Sequence, residues 1–231
     1  MSKTRIIQAV KDLDVEAVRD LLDEKPALLT VREPGGRNLL HMACSVPCAD
    51  LKIPEALAAK MANLLLDRGI EIDATQDHKD RCTALFFAVA RCNHTLVKLL
   101  LRRGADVAQA PGGGLFAAAW FDDVEGLDLL VRAGAKVDIV VGVTPFFAAW
   151  NWKKFEAAKF LVTKDANINF QEPKKQRTAL HYGIEKEFDP AELKWLVAHG
   201  ASPDIPDREG VTARERAARK RDKKWSALFV A

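Results

Sequence analysis

The chain has 231 residues, of which 48% are hydrophobic and 29% are charged, a composition that excludes a largely disordered protein. The formal net charge is +3, and seven basic residues against two acidic ones lie between Arg214 and Lys224. The remainder of the chain is therefore close to neutral, which is not the charge profile of a dedicated DNA-binding domain.

The N-terminus and the cysteines indicate the compartment. The first 14 residues mix charged and apolar types without the apolar core of a signal peptide, and no stretch approaches the roughly 18 apolar residues of a membrane span. The four cysteines form no CxxC pair, which favours reduced thiols; they are Cys44, Cys48, Cys82 and Cys92. We therefore expect a cytoplasmic protein that does not enter a membrane.

A short segment that starts a helix recurs along the chain. In chain order its copies are residues 36–43, 83–88, 113–118, 142–149, 178–183 and, in a more polar version, 210–218. Each of the first five copies is followed by a second apolar run that ends at a residue suited to stopping a helix, namely Gly69, Gly104, Gly134, Asp165 and Gly200. These stops lie 35, 30, 31 and 35 residues apart, which indicates a repeat of about 33 residues.

The period and content of this repeat resemble the ankyrin repeat, whose signature is T-P-L-H-x-A. The resemblance extends over nearly the whole chain and implies an all-α ankyrin-repeat solenoid of about seven helix-turn-helix units, two of which are caps. It predicts a single domain over residues 1–231. The expected units are 1–32 (the N-terminal cap), 33–75, 76–109, 110–139, 140–170, 171–206 and 207–231 (the C-terminal cap).

Local chemistry agrees with this assignment. Thr144 is suited to cap a first helix, and Pro145 suits the position directly after such a cap. The glycines at the helix stops favour the left-handed conformation, which Asp165 adopts more readily than most residues. The resemblance implies that His41 and His181 make hydrogen bonds between repeats.

The second unit carries an insertion. Asn38 to Gly69 spans 31 residues, whereas Thr83 to Gly104 spans 21. The extra residues lie near 44–54, where two prolines predict a loop, and a lengthened helix is expected from Glu55. Two interpretations stay open, because insertions in repeat arrays are either tolerated surface loops or part of the binding face.

No group of residues in the sequence indicates catalysis. The turn at 110–114 is rich in glycine but lacks the Gly-Lys-Ser/Thr sequence and the preceding strand of a phosphate-binding loop. The histidines and cysteines have neither the spacing of zinc ligands nor the neighbours that a nucleophile needs. We therefore expect no enzymatic activity, no cofactor and no metal ion.

The resemblance implies where a partner binds, because the turns and the inward ends of the first helices in ankyrin repeats line a concave surface. In the two central repeats, the residues at these helix ends are Trp120 with Phe121, and Asn151 with Trp152. Exposed tryptophan and phenylalanine are scarce on monomers and enriched in interfaces, and charged residues flank this apolar centre. The predicted partner-binding residues are Lys79, Arg91, Trp120, Phe121, Val141, Val143, Asn151, Trp152, Lys175 and Arg177.

Two features have competing interpretations. The aromatic side chains of Trp120, Phe121 and Trp152 either bind a partner or fill space left by small residues of the fourth unit. Trp150 and Phe155, in contrast, have the spacing of core residues. The basic C-terminal segment has three open interpretations: the solvated face of a cap, a site for an acidic partner or nucleic acid, or a nuclear-import signal.

We predict a non-enzymatic protein–protein interaction module (an adaptor, scaffold or inhibitor) that binds a protein or peptide on its concave face. The flanking lysines and arginines indicate a partner that is acidic around an apolar anchor. We expect that the partner is not a membrane and that nucleic acid is a less favoured partner than a protein or peptide. The alternative is binding of nucleic acid or another acidic ligand through the basic C-terminal segment.

Overall fold

A computed structural model describes residues 2–77, 81–109 and 113–229. In these ranges the secondary structure is helical apart from turns and three isolated bridges, and no strand is present. The helices follow one another as seven pairs, which confirms the predicted all-α fold of about seven helix-turn-helix units.

The pairs are α1 (Ser2–Lys11) with α2 (Val15–Glu24), α3 (Leu39–Cys44) with α4 (Glu55–Asp67), α5 (Ala84–Ala90) with α6 (His94–Arg102), α7 (Gly113–Trp120) with α8 (Val124–Arg132), α9 (Pro145–Asn151) with α10 (Phe155–Thr163), α11 (Ala179–Glu185) with α12 (Pro190–Ala198), and α13 (Ala213–Ala218) with α14 (Lys223–Ser226). Short 3-10 helices lie at Pro26–Thr30 and Ala227–Phe229.

The chain divides into two compact units. Unit 1 consists of Met1–Phe121 and Glu125–Ala135 and holds α1 to α7 with nearly all of α8. Unit 2 consists of Asp122–Val124 and Lys136–Ala231 and holds α9 to α14. That residues 1–231 form a single domain stays a prediction.

In both units a polar side chain caps the first helix of a pair. The hydroxyl of Thr144 accepts a hydrogen bond of 3.3 Å from the backbone N of Phe147, and Thr212 does the same for Glu215 at 3.1 Å. In unit 1 the side-chain oxygen of Asn38 takes this role at α3. These bonds satisfy donors that the first turn of a helix leaves without an intrahelical partner, as predicted for Thr144.

A residue in the left-handed conformation ends most of the second helices. The glycines at the predicted stops after α4, α6, α8 and α12 have φ between 87° and 98°. After α10 the same place is taken by Asp165, with φ of 64°. The predicted stops are thus confirmed, and Asp165 holds a conformation that costs a side chain with a Cβ more than it costs glycine.

The insertion in unit 1 is packed at its beginning and exposed in its middle. No helix spans residues 45–54, and α4 begins at Glu55, as predicted. Cys44, Val46 and Cys48 are buried, whereas Leu51 is 57% exposed. Burial raises the pKa of the Cys44 thiol, which therefore stays protonated and unreactive.

Two first helices, α3 in unit 1 and α9 in unit 2, are almost completely buried. Every residue of α3 is buried, and so is every residue of α9 except Asn151. Small side chains such as Ala88 and Ala149 leave room for the paired helix, while Leu96 and Leu100 of α6 form the buried stripe of a second helix. Within the described ranges, no helix is long and apolar enough to cross a membrane.

Candidate partner-binding surface

His41 and His181 connect neighbouring repeats inside the units. In unit 1 the Nε2 atom of His41 lies 3.2 Å from the backbone O of Cys82. In unit 2 the Nε2 atom of His181 lies 3.0 Å from the backbone O of Val211. Burial lowers the pKa of His41 to about 4, so its ring is neutral at neutral pH. Both histidines therefore serve the fold, as the resemblance implied.

The described residues also contain no cluster suited to metal binding. No group of three or more His, Cys, Asp or Glu side chains in these ranges is placed to hold a metal ion.

The C-terminal end of α7 in unit 1 carries exposed aromatic side chains. Trp120 is 51% exposed and Phe121 is 50% exposed, although Ala118 and Ala119 directly before them are fully buried. In the described ranges, the other large apolar side chains with comparable exposure are Leu51, Val124, Val140 and Val141. This exposure argues against the interpretation that Trp120 and Phe121 fill space inside the repeat.

Arg91 occupies the same position in its repeat that Phe121 occupies one repeat later. It follows α5 directly, and its Nε donates a hydrogen bond of 2.9 Å to the backbone O of Ser45, the residue that follows α3. The ends of α3, α5 and α7 thus carry Ser45, Arg91 and Phe121 at corresponding places in unit 1. Lys79, the remaining predicted residue before α5, lies outside the described residues.

In unit 2 the corresponding residues at the end of α9 are Asn151 and Trp152, which are both partly exposed. The side-chain oxygen of Asn151 accepts a hydrogen bond of 2.6 Å from the Nζ of Lys186, which caps the next first helix, α11. Trp150 is fully buried, and its Nε1 donates to the backbone O of Ala179 at 2.9 Å. The predicted core position of Trp150 is confirmed.

The turn before α9, which we call the valine turn (residues 139–143), presents an apolar tip on unit 2. The backbone N of Val141 donates to the backbone O of Val143 at 3.0 Å, which closes the turn around Gly142. Val140 is 58% exposed and Val141 is 50% exposed, whereas Val143 is partly covered. Two adjacent valine side chains therefore face solvent at the end of a closed turn.

The turn before α11, which we call the lysine turn (residues 172–177), contains two predicted binding residues that differ in their exposure to solvent. Lys175 is exposed. Arg177, expected on a charged rim, is only 6% exposed, and its Nη1 donates to the Oε2 of Glu185 at 2.5 Å. Its Nε lies 3.6 Å from the Oδ2 of Asp207. Arg177 is thus buried because two carboxylates compensate its charge within unit 2.

A buried acid that the repeat pattern did not indicate organises the lysine turn. Glu172 is 5% exposed, and its carboxylate accepts hydrogen bonds from the backbone N of Lys174 at 2.8 Å and of Lys175 at 2.6 Å. A signal was available in the sequence, since an acid also precedes the turn residues at Glu33 and Asp207 in other repeats. The carboxylates of Glu172 and Asp207 bind backbone donors of their turns, whereas that of Glu33 pairs with Lys11 and Arg37.

Among the described side chains, four of the seven cations of the basic C-terminal segment form ion pairs within unit 2. Burial alone would raise the pKa of Asp207, but hydrogen bonds from Arg216 and from the backbone of Val211 and Glu209 hold it at about 2. Such pairing weakens the attraction for phosphates and favours the interpretation as the solvated face of a cap. Four cations of the segment form ion pairs, namely Arg214 with Asp204, Arg216 with Asp207, Lys220 with Glu187 and Lys224 with Asp222.

Comparison with known proteins places the chain among relatives of the same repeat type. A family model of ankyrin repeats, in three copies, matches residues 6–111 and 115–207. The Nuclear factor NF-kappa-B p105 subunit of Gallus gallus is 26% identical over 222 residues, which are 93% of this chain and 22% of that protein. The chain therefore spans about a fifth of the length of this relative.

Two solved structures have the same fold. The ankyrin repeat domain of Bcl-3, described as a unique member of the IkappaB protein family, superposes with a TM-score of 0.78 at 19% identity and 97% coverage of both chains. The human ASB11 ankyrin repeat domain superposes with a TM-score of 0.77 at 18% identity and 98% coverage of both chains. Because the family model matches most of its residues, the chain belongs to the ankyrin-repeat family.

Proposed function

We propose that this chain is a non-enzymatic protein–protein interaction module that binds a partner protein or peptide on the face lined by its turns and by the ends of its first helices. Its family supports this class of function, because repeat arrays offer extended surfaces whose residues are selected for a partner. We assign to this face Arg91, Trp120 and Phe121 of unit 1, and Val141, Val143, Asn151, Trp152 and Lys175 of unit 2.

The exposure of Trp120 and Phe121 carries this proposal. Each side chain leaves roughly 100 Å² of apolar surface in water, so covering it stabilises a complex by about 2 kcal/mol. Tryptophan is also enriched among the residues that dominate binding energies. Arg91 supplies a cation at the corresponding position one repeat earlier, which suits a partner with an apolar anchor and an acidic group.

The proposal is tested by differential capture. The natural chain and the double variant Trp120→Ala/Phe121→Ala serve as baits in extracts of cells that express the chain, and the captured proteins are quantified by mass spectrometry. We expect at least one protein to bind the natural chain and to bind the variant at least tenfold more weakly, since each residue contributes about 2 kcal/mol.

Leu51→Ala is the matched control, because Leu51 is an equally exposed apolar residue of unit 1 in the insertion. We expect this variant to capture the same protein at the natural level. Thermal unfolding of each bait shows that the fold is intact. Equal capture by the natural chain and by the Trp120→Ala/Phe121→Ala variant would contradict the proposal.

A further inference from the structure

We propose that the valine turn and the lysine turn of unit 2 together form a docking surface for an extended, acidic peptide segment. In this segment an apolar side chain contacts the valine turn, and acidic side chains about three residues further along contact the lysine turn. This inference rests on the proposed function and specifies the chemistry of a partner for unit 2.

The valine turn supplies the apolar contact. Val140 is 58% exposed and Val141 is 50% exposed. The hydrogen bond from the backbone N of Val141 to the backbone O of Val143 fixes the turn that carries them. Adjacent β-branched side chains on a closed turn lose little conformational freedom when a partner covers them. They therefore form a contact that suits one apolar side chain of a ligand.

The lysine turn supplies the charge. The carboxylate of Glu172 is buried under the turn and occupied by backbone N–H groups, so it does not pair with the ammonium groups of Lys174 and Lys175. Both lysine side chains are exposed, and no ion pair of either is found among the described residues. The turn is also held from its other side, because the backbone N of Arg208 donates to the backbone O of Lys175 at 2.9 Å.

The charges around Lys174 and Lys175 favour an anion. Arg208, in the next turn, is exposed as well and adds a third cation. The nearby acids are occupied: Asp207 by Arg216, and Glu172 by the backbone of the lysine turn. An exposed acid remains at Glu209, which lies 3.7 Å from Arg216. The exposed charged side chains of the lysine turn and of the turn at Arg208 are therefore mainly basic.

The two turns occupy the same place in consecutive repeats. Gly142 of the valine turn and Gln176 of the lysine turn both have positive φ, and each is followed two residues later by the threonine before a first helix. Val140 and Val141 thus correspond to Lys174 and Lys175. The repeats are held together before the turns, where the backbone N of Asn167 donates to Asp138 at 2.9 Å.

The spacing of the turns determines the spacing expected in the ligand. Neighbouring packed helices lie about 8–10 Å apart, and the turns before them are offset by a similar distance. An extended peptide advances about 3.3 Å per residue, so the offset corresponds to about three residues. A peptide is a better match than single-stranded nucleic acid, because the exposed valines offer no charge or aromatic ring to a nucleotide.

Fluorescence anisotropy with labelled peptides tests the inference. In a Gly/Ser background, a leucine and a Glu-Glu pair are separated by one to six residues, and binding to the natural chain is measured at low salt. We expect the tightest binding at a separation near three residues, and at least tenfold weaker binding of peptides in which Lys-Lys replaces Glu-Glu. Uniform binding at all separations would overturn the inference.

Variants of the chain locate the site. We expect Lys174→Glu/Lys175→Glu and, separately, Val140→Ser/Val141→Ser to weaken binding of the best peptide at least tenfold. Lys194→Glu/Arg221→Glu, at two exposed cations elsewhere in the same unit, changes the net charge by the same amount as Lys174→Glu/Lys175→Glu; it is the matched control and is expected to change binding less than threefold. An equal loss in the control would overturn the inference, because it would reflect net charge alone. An oligonucleotide that binds more tightly than the peptide and displaces it would also overturn the inference.

The Trp120→Ala/Phe121→Ala variant separates this inference from the proposed function. Both residues belong to unit 1, so we expect this variant to bind the peptide as the natural chain does. Loss of cellular capture with unchanged peptide binding would support both proposals. Failure of the peptide series with intact dependence of capture on Trp120 and Phe121 would overturn the docking surface and leave the proposed function in place.

Discussion

The guanidinium of Arg177 donates a hydrogen bond of 2.5 Å to the carboxylate of Glu185 and thereby ties the lysine turn to the last residue of α11. The arginine side chain is 7% exposed, whereas that of Glu185 is 45% exposed. The pair therefore lies at the boundary of the interior, with the cation inside and the carboxylate partly hydrated.

We expect Arg177→Ala to lower the free energy of unfolding by about 2 kcal/mol. The substitution removes the hydrogen bond and leaves space inside unit 2, but Asp207 keeps Arg216 and Glu185 can be hydrated. Urea unfolding measures the change. Lys174→Ala, an exposed residue of the same turn, is the control and is expected to change stability by less than about 0.5 kcal/mol. A loss no greater than that of the control would show that the pair does not stabilise the fold.

The stability of the chain should depend on pH through His41. Burial lowers the pKa of this residue from 6.5 to about 4, so the unfolded state binds a proton at a pH at which the folded state does not. The stabilisation is complete above about pH 6.5 and is lost as the pH falls from there to about 4, by about 3 kcal/mol in total. Burial lowers the pKa of His181 as well, which adds a contribution of the same sign.

Unfolding free energies measured between pH 4 and pH 7 check this expectation. We expect His41→Gln to be less stable than the natural chain at pH 7 and to show a smaller loss of stability on acidification. His199→Gln, at an exposed histidine, is the matched control and is expected to keep the natural slope. An unchanged slope in His41→Gln would rule out His41 as its source.

We expect Gln176→Gly to stabilise the chain by about 0.5–1 kcal/mol. Gln176 has φ of 54° at a turn position where Gly142 and Gly210 have 75° and 76°. The left-handed conformation costs a residue with a Cβ about 1–2 kcal/mol, and the larger conformational entropy of unfolded glycine offsets part of the gain. Gln176 is exposed, and its two hydrogen bonds in the turn use backbone atoms, which the variant keeps.

Thermal unfolding measures this gain. Gln176→Ala is the control, because it removes the side chain beyond Cβ but keeps the Cβ that causes the strain. We expect this control to be no more stable than the natural chain. Equal stabilisation by alanine and by glycine would assign the effect to the side chain and not to the backbone conformation.

Local features of the repeat could be predicted from the sequence because neighbouring residues determine them. Thr144 caps a helix through a residue three positions later, and Asp165 ends a helix within its own turn. The core position of Trp150 also follows from its helical spacing with Phe146 and Phe147. The cap at Thr144 and the helix end at Asp165 involve residues within one turn of the chain, whereas Trp150 also donates a hydrogen bond to Ala179, 29 residues further along.

Arg177 shows what the sequence could not reveal. Its basic character and its place in a turn predict an exposed cation, but Asp207 lies 30 residues further along the chain and contributes to its burial. Glu172 is a different case, because its bonds to Lys174 and Lys175 are local and an acid also precedes the turn residues at Glu33 and Asp207. Ion pairs between repeats depend on how the repeats stack, and the amino-acid composition does not show this.

The ion pairs of the C-terminal segment lead to a last prediction, on heparin affinity. Arg214 binds Asp204 with N–O distances of 2.7 and 3.0 Å, and Lys220 binds Glu187 at 2.7 Å. We expect Asp204→Asn/Glu187→Gln to release both cations and to elute from heparin at a higher salt concentration than the natural chain, because binding of polyanions grows with the number of available cations.

Asp50→Asn/Glu71→Gln is the matched control for heparin elution. It changes the net charge by the same amount as Asp204→Asn/Glu187→Gln. Its two sites are exposed acids of unit 1 for which no ion pair is found among the described residues. We expect it to elute between the natural chain and Asp204→Asn/Glu187→Gln, since it adds net charge without releasing a cation of the segment. Coincident elution of the two variants would mean that net charge, and not pairing, governs the affinity. Strong retention of the natural chain at physiological salt would instead favour the nucleic-acid alternative, because the paired cations would then be available to phosphates despite their carboxylate partners.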